Sequence, residues 1–126
     1  MRTLAIVTAA LISTAACASN TPRSAPSNRN LITADEIAKS NASTAYDAIE
    51  RLRPAFLRTR GAQSLQNPTP VAPLVYLDGM RYGGVAALAQ IPAMGIISIQ
   101  YLSALDASQR FGLGNEGGAI LVSTKH

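Results

Sequence analysis

The feature that most constrains this chain is a short apolar run close to its N-terminus. Residues 4–12 are apolar except for Thr8, with Arg2 before them and small residues after them. A positive charge, a short apolar segment and small residues in this order are typical of a secretory signal peptide. The run has about nine residues, whereas a membrane-spanning helix needs roughly twenty. We therefore expect residues 1–16 to take no part in the fold.

The only cysteine of the chain, Cys17, directly follows these small residues, which excludes a disulfide within the chain. The segment Thr14-Ala15-Ala16-Cys17 resembles the end of bacterial lipoprotein signal peptides, although that family prefers Leu where Thr14 stands. The resemblance implies that Cys17 becomes the first mature residue and carries a diacylglyceryl group. It also implies sorting to the outer membrane, because no Asp follows Cys17. Ordinary secretion is the alternative, since Thr14 and Ala16 also suit a plain signal-peptidase site.

Removal of residues 1–16, which include one Arg and no acid, leaves 110 residues and lowers the net charge from +4 to +3. That length is enough for one small domain. Residues 17–30 are rich in Pro, Ser and Asn, a composition that predicts a flexible linker behind the lipid anchor. Residues 31–126 are left to form the folded domain.

Two helices are predicted at the start of this domain. Thr33 and Glu36 form a capping-box pattern, which predicts a short helix that ends near Ser40. A second helix is predicted over residues 45–53, because apolar residues recur there on one helical face. Pro54 is expected to end it.

Alternating apolar residues and turn residues predict the remaining elements. Strands are predicted at residues 55–59, 74–77, 80–82, 96–102 and 119–124, and short helices at residues 85–89 and 105–111. Asp78-Gly79 predicts a hairpin turn, and Gly83-Gly84 should end its return strand. Ile97, Ile99 and Tyr101 are expected to face the core. The order predicts a small α+β domain with a mixed sheet and short helices.

Six segments resemble, in order, motifs of the plug domain of TonB-dependent outer-membrane receptors. They are residues 31–37 (similar to ITxEEI), 45–52 (the first main helix), 73–79 (P-hydrophobic-VDG), 91–102 (IP…IESIEVL), 104–112 (ASALYG) and 117–125 (GGVIxIxTK). Together they cover almost all of residues 31–126. The resemblance implies a plug-like fold and a role in binding at the outer membrane, on its periplasmic side.

The sequence also departs from that family. The family's plugs sit inside a β-barrel, and a barrel of about 22 strands needs several hundred residues. No barrel sequence precedes His126, and residues 18–30 contain no apolar segment typical of a TonB-interaction box. We therefore expect a freestanding plug-like domain on a lipid tether. The alternative is an accessory component of a transport system that acts with a separately encoded barrel.

No residue pattern points to catalysis, a cofactor or a metal ion. The only histidine, His126, is the last residue of the sequence, so a His-based catalytic triad or metal cluster is not expected. Residues 112–118 read G-x-G-x-x-G, but they precede a predicted strand. A dinucleotide-binding loop must instead follow a strand and open a helix. We interpret this segment as a backbone turn and the protein as a non-enzyme.

Two surface features bear on partners. Arg51, Arg53, Arg58 and Arg60 form a local basic group, interpreted as a solvated face near a membrane because an exported protein seldom meets nucleic acid. Tyr76 and Tyr82 flank the predicted turn and are candidates either for a contact surface or for core packing. The expected partners are outer-membrane lipid, through acylated Cys17, and an envelope protein bound at an exposed sheet edge.

Overall fold

The structure is a computed structural model that describes residues 28–59 and 70–125. Within these ranges the chain forms five strands, three α-helices and two 3₁₀ helices. The strands are β1 (Leu31–Thr33), β2 (Leu74–Leu77), β3 (Met80–Gly84), β4 (Ile96–Leu102) and β5 (Ala119–Thr124). The helices are α1 (Ala34–Ser40), α2 (Ala45–Leu52), α3 (Ala104–Phe111) and the 3₁₀ helices Pro54–Leu57 and Val85–Gln90. The predicted signal peptide and nearly all of the predicted linker lie outside the described residues.

The strands form one sheet in the order β1-β4-β5-β2-β3. β5 runs parallel to β2, and every other neighbouring pair is antiparallel. The sheet is therefore mixed, and with its short helices it confirms the predicted small α+β domain. β1 and β3 form the two edges of the sheet.

Helices cover both faces of the sheet. One face packs against α1, α2 and the two 3₁₀ helices, and it buries Ile99, Ile120 and Val122. The other face packs against α3 and buries Ala119 and Leu121. Consecutive residues of β5 thus enter two different cores. Burial on both faces explains why residues 119–122 of this strand are all apolar instead of alternating with polar residues.

The start of α1 is fixed by the predicted capping box. The Thr33 hydroxyl accepts a 3.4 Å hydrogen bond from the Glu36 backbone N–H, and the Glu36 carboxylate accepts a 3.0 Å bond from the Thr33 N–H. Ile32 and Ile37, before and within the first turns, are both buried in the same core. Asn41 ends the helix in the left-handed conformation, with φ of 51°. These contacts confirm the predicted helix and its short length.

The capping box also favours the ionised form of Glu36. The hydrogen bond from the Thr33 backbone and the nearby Arg53 guanidinium hold the pKa of Glu36 below its usual 4.5, against the opposing effect of partial burial. A pKa lowered by folding stabilises the folded state at a pH above the unfolded pKa. That stabilisation is lost as the pH falls through the folded pKa.

We therefore expect Glu36→Gln to lower the free energy of unfolding by about 0.5 kcal/mol at pH 7, because the partly exposed ion pair is weak and Gln still accepts from Thr33. The difference from the unsubstituted protein should shrink as the pH falls through the lowered pKa of Glu36 and vanish once this carboxylate is protonated in the folded state. Urea unfolding followed by circular dichroism at several pH values measures it. A difference that stays constant with pH would show that the charge of Glu36 has no such role.

The second helix is also confirmed, with α2 ending one residue before the predicted end. The Thr44 hydroxyl caps it by accepting a 3.2 Å hydrogen bond from the Asp47 N–H. Ala45, Ala48 and Ile49 form its buried face, as the apolar spacing indicates. α2 is therefore held by a local cap and by burial of a single face.

The prediction of a strand at residues 55–59 is wrong. Residues Pro54–Leu57 form a 3₁₀ helix instead, with Pro54 in its first turn. The fixed φ of proline suits a first helical position, where no N–H is needed for hydrogen bonding. The single turn places Phe56 in the core, with only 5% of its surface exposed.

The prediction that Ile97 faces the core is also wrong, because β4 contains a β-bulge. Ile96 pairs with Thr124 and Ser98 with Ser123, which leaves Ile97 with no opposite residue on β5. The extra residue resets the alternation of side chains. Ile96 and Ile99 are buried, whereas Ile97 is 45% exposed.

Two strand boundaries differ from the sequence-based expectation. β3 continues through Gly83 and Gly84, since both pair with residues of β2. In addition, the sequence predicts no strand at the position of β1. Its three residues gain their strand conformation from pairing with β4, a contact between segments far apart in the sequence.

Candidate functional site

The turn between β2 and β3 is fixed to the middle of the sheet. Asp78 and Gly79 have φ angles of 48° and 87°, as a type I′ turn requires, and this confirms the predicted hairpin turn. The Asp78 N–H donates a 2.9 Å hydrogen bond to the Val122 carbonyl. The Asp78 carboxylate accepts bonds of 2.8 and 2.6 Å from the N–H and hydroxyl of Thr124. Contacts with β5 therefore set the position of the hairpin.

The two tyrosines that flank this turn have different surroundings. Tyr76 is buried, its ring stacked on Phe111 with centroids 3.8 Å apart, and its hydroxyl donates a 2.9 Å bond to the Asn115 side chain. Tyr82 is 44% exposed. The sequence left two interpretations of this pair open, core packing and a contact surface. Tyr76 packs in the core, whereas Tyr82 lies on an accessible surface.

The outer side of β3 is an accessible sheet edge. Met80 is 76% exposed, and Arg81 and Tyr82 are exposed as well. Tyr82 lies in a β-bulge, because Arg81 pairs with Tyr76 and Gly83 with Val75. Within the described ranges, no hydrogen bond from outside the hairpin reaches these three exposed residues. An edge strand of this kind offers backbone groups to another strand.

The opposite edge of the sheet is occupied by contacts within the domain. The Leu31 N–H donates a 2.9 Å hydrogen bond to the Asn28 carbonyl, and the Thr33 N–H is bound by Glu36. Ile32, between them, pairs with Ile99 of β4. Since the outward N–H groups of β1 already have acceptors, β3 is the edge better suited to an added strand.

Two arginines of the predicted basic group have partners within the domain. Arg53 makes a 3.1 Å ion pair with Glu36, and Arg51 donates a 2.9 Å hydrogen bond to the last carbonyl of α1. Arg58 lies at the end of the first 3₁₀ helix. Arg60 lies outside the described residues.

Several carboxylates have roles in holding the fold. Glu36 belongs to the capping box, Asp78 fixes the hairpin, and Asp106 accepts a 2.6 Å hydrogen bond from the Ser103 hydroxyl at the start of α3. In the part of the chain that the structure describes, no three His, Cys, Asp or Glu side chains are grouped so that they could hold a metal ion.

The glycine-rich segment 112–118 lies between α3 and β5, which matches its interpretation as a turn. Gly112, Gly114 and Gly118 have φ between 85° and 94°. Asn115 is 1% exposed, and its side-chain amide donates a 2.9 Å bond to the Gly112 carbonyl while its oxygen binds Tyr76. Sequence reasoning missed Asn115, because nothing in the pattern distinguishes a buried asparagine from a turn residue.

Cys17 and His126 lie outside the described residues, so their predicted roles stay predictions. The helices within residues 28–59 and 70–125 are all too short or too polar to cross a bilayer. No family model matches the chain, and comparisons with curated proteins and with solved structures find no match either.

Proposed function

We propose that this protein is a non-catalytic, lipid-anchored protein of the cell envelope whose plug-like domain binds a partner at the outer membrane. In this proposal Cys17 carries the acyl chains, residues 17–30 form the linker, and residues 31–126 form the binding domain. The domain lies on the periplasmic side of the membrane. Its partner is another envelope protein.

The arrangement of elements supports the plug-like part of the proposal. Each of the six segments that resemble plug motifs corresponds to an element or a defined turn. Residues 31–37 form β1 and the start of α1, and residues 73–79 form β2 and the hairpin turn. Residues 117–125 contain β5, the strand that joins the two halves of the sheet. Motifs that are weak individually thus agree with one continuous domain.

The observation that carries the binding function is the accessible edge of β3. A sheet with one edge occupied and the other exposed can accept a strand on one side only. Main-chain hydrogen bonds would supply affinity, and the exposed Met80 and Tyr82 side chains would supply selectivity. The contacts of Asp78 with β5 fix the conformation of the hairpin before a partner binds, which reduces the conformational entropy lost on binding.

Photo-crosslinking in intact cells tests this proposal. A photoreactive amino acid in place of Tyr82 should give an adduct with one envelope protein. The same substitution at Leu105, which is 68% exposed on α3, is the matched control and should give none. Adducts of equal yield from both positions, or none from either, would contradict binding at β3.

The identity of the adduct separates the proposal from its alternative. A barrel protein joined to position 82 would favour an accessory role in transport, since the plug resemblance implies a barrel as the natural partner of such a domain. An envelope protein of another type would favour a binding module that acts apart from transport.

A further inference from the structure

A second surface lies where the chain enters the domain. Arg29, Asn30, Phe56, Arg58 and Tyr101 line a pocket of about 450 Å³, together with Ala55 and Thr59. No residue of the described ranges that lines it carries a negative charge. The pocket is therefore basic at its rim, and its aromatic wall continues into the core.

The backbone on both sides of the pocket is held in place. The Asn30 N–H donates a 3.2 Å hydrogen bond to the Asn28 side chain, and the Asn30 carbonyl accepts a 2.8 Å bond from the Tyr101 N–H. These bonds tie the turn that carries Arg29 to β4. Arg58 follows the 3₁₀ helix Pro54–Leu57, and its N–H bonds to the Ala55 carbonyl.

The aromatic wall is also fixed. Phe56 and Tyr101 stack with ring centroids 5.3 Å apart and an interplanar angle of 24°. The Tyr101 hydroxyl donates a 3.3 Å bond to the Gly117 carbonyl, which directs it toward the glycine-rich segment. The ring itself remains part of the pocket as an apolar surface.

Within residues 28–59 and 70–125, the two arginines of the pocket have no partner of opposite charge. Among the described residues, neither the Arg29 nor the Arg58 side chain makes a hydrogen bond or an ion pair. By contrast, Arg53 and Arg51 are both bonded. Two guanidinium groups that line one pocket and have no partner within the described residues are available to an anion that enters it. Guanidinium groups match phosphate oxygens in pairs of parallel hydrogen bonds.

We propose that this pocket binds the phosphate of an anionic phospholipid headgroup. Arg29 and Arg58 would hold the phosphate oxygens, and the Phe56 and Tyr101 rings would contact the apolar part next to the headgroup. A ligand with a phosphate beside an apolar group fits a pocket with a basic rim and an aromatic wall better than phosphate alone.

The choice of a lipid as the source of the phosphate rests on the proposed anchoring at Cys17. Arg29 lies twelve positions after Cys17 in the sequence. With the predicted flexible linker, a separation of that length corresponds to about 20 Å. The pocket would therefore remain within reach of the headgroups of the membrane that holds the acyl chains.

Calorimetric titration of the purified full chain carrying Cys17→Ala tests the pocket without any acyl anchor. The probes are dihexanoyl-phosphatidylglycerol, dihexanoyl-phosphatidylcholine and inorganic phosphate. Both lipids are used below the concentrations at which they form micelles. The phosphatidylglycerol should bind, and the zwitterionic lipid and inorganic phosphate should bind at least fivefold more weakly. Arg29→Gln and Arg58→Gln should each weaken phosphatidylglycerol binding about fivefold.

Arg110→Gln is the matched control, because Arg110 lies on α3 over the Phe111 ring and away from the pocket. It removes the same charge and should leave binding unchanged. Equal weakening by all three variants, or by none, would overturn the site. Inorganic phosphate that binds as tightly as the lipid would overturn the lipid as source. Because the probes are soluble, these results are independent of acylation at Cys17 and of crosslinking at β3.

Discussion

Gly117→Ala is expected to destabilise the domain by about 3 kcal/mol, one of the two largest effects that we predict. A Cβ atom at this position would lie 2.6 Å from the Ala72 carbonyl carbon, closer still to its oxygen, and 2.9 Å from the Val71 carbonyl oxygen. All three atoms belong to the backbone just before β2, so no side-chain rotation can relieve the clash. The segment would have to separate from β5, with which β2 pairs.

Thermal unfolding followed by circular dichroism measures this effect, and the midpoint should fall by roughly 15 °C. Gly95→Ala is the matched control, because a Cβ there would have no atom within 4 Å and its φ is not positive. That variant should keep the original midpoint within a few degrees. Equal midpoints for the two variants would show that the contact between Gly117 and Ala72 is not tight.

Cys17→Ala is expected to abolish acylation and, with it, attachment to the membrane. In the proposal the Cys17 sulfur carries the lipid, and no other residue can replace it because the chain has one cysteine. Each buried methylene group contributes about 0.8 kcal/mol, and stable anchoring needs more than one acyl chain. Loss of the chains should therefore move the protein from the membrane fraction to the soluble fraction.

Labelling of cells with radioactive palmitate measures this effect. The unsubstituted protein and the control variant Ser24→Ala, altered within the predicted linker, should both carry the label. Label that survives in Cys17→Ala would disprove acylation at this residue. An unlabelled, soluble form of the unsubstituted protein would favour ordinary secretion.

The elements that could be predicted from the sequence are those that depend on local contacts. The capping box of Thr33 and Glu36 uses residues three positions apart, and the Asp78-Gly79 turn requires only two adjacent residues with positive φ. β5 could be identified from the run of apolar residues at 119–122, which its burial on both faces explains. Each of these signals is complete within a short segment, so no knowledge of the partner segments is needed.

The errors arise where distant segments decide the conformation. The bulge at Ile97 depends on the register between β4 and β5, and β1 exists because it pairs with β4. The segment Pro54–Leu57 is apolar enough for a strand, but Pro54 and burial of Phe56 favour a single 3₁₀ turn. No periodicity within these segments carries that information.

The candidate site was predictable only in part. The hairpin and its exposed Tyr82 follow from the Asp78-Gly79 signal. That β3 is the free edge depends on the strand order, and that β1 is occupied depends on hydrogen bonds from Leu31 and Thr33. The pocket between Arg29 and Arg58 joins residues 29 positions apart, and only the fold brings them together.

Amide hydrogen exchange across Met80–Gly84 tests most directly the central claim that a partner strand adds to β3. The protein is measured alone and in complex with the partner identified by crosslinking, and α3 serves as an internal reference. We predict that exchange in β3 slows at least tenfold in the complex, while exchange in α3 is unchanged. Exchange in β3 that is the same with and without the partner would contradict strand addition at this edge.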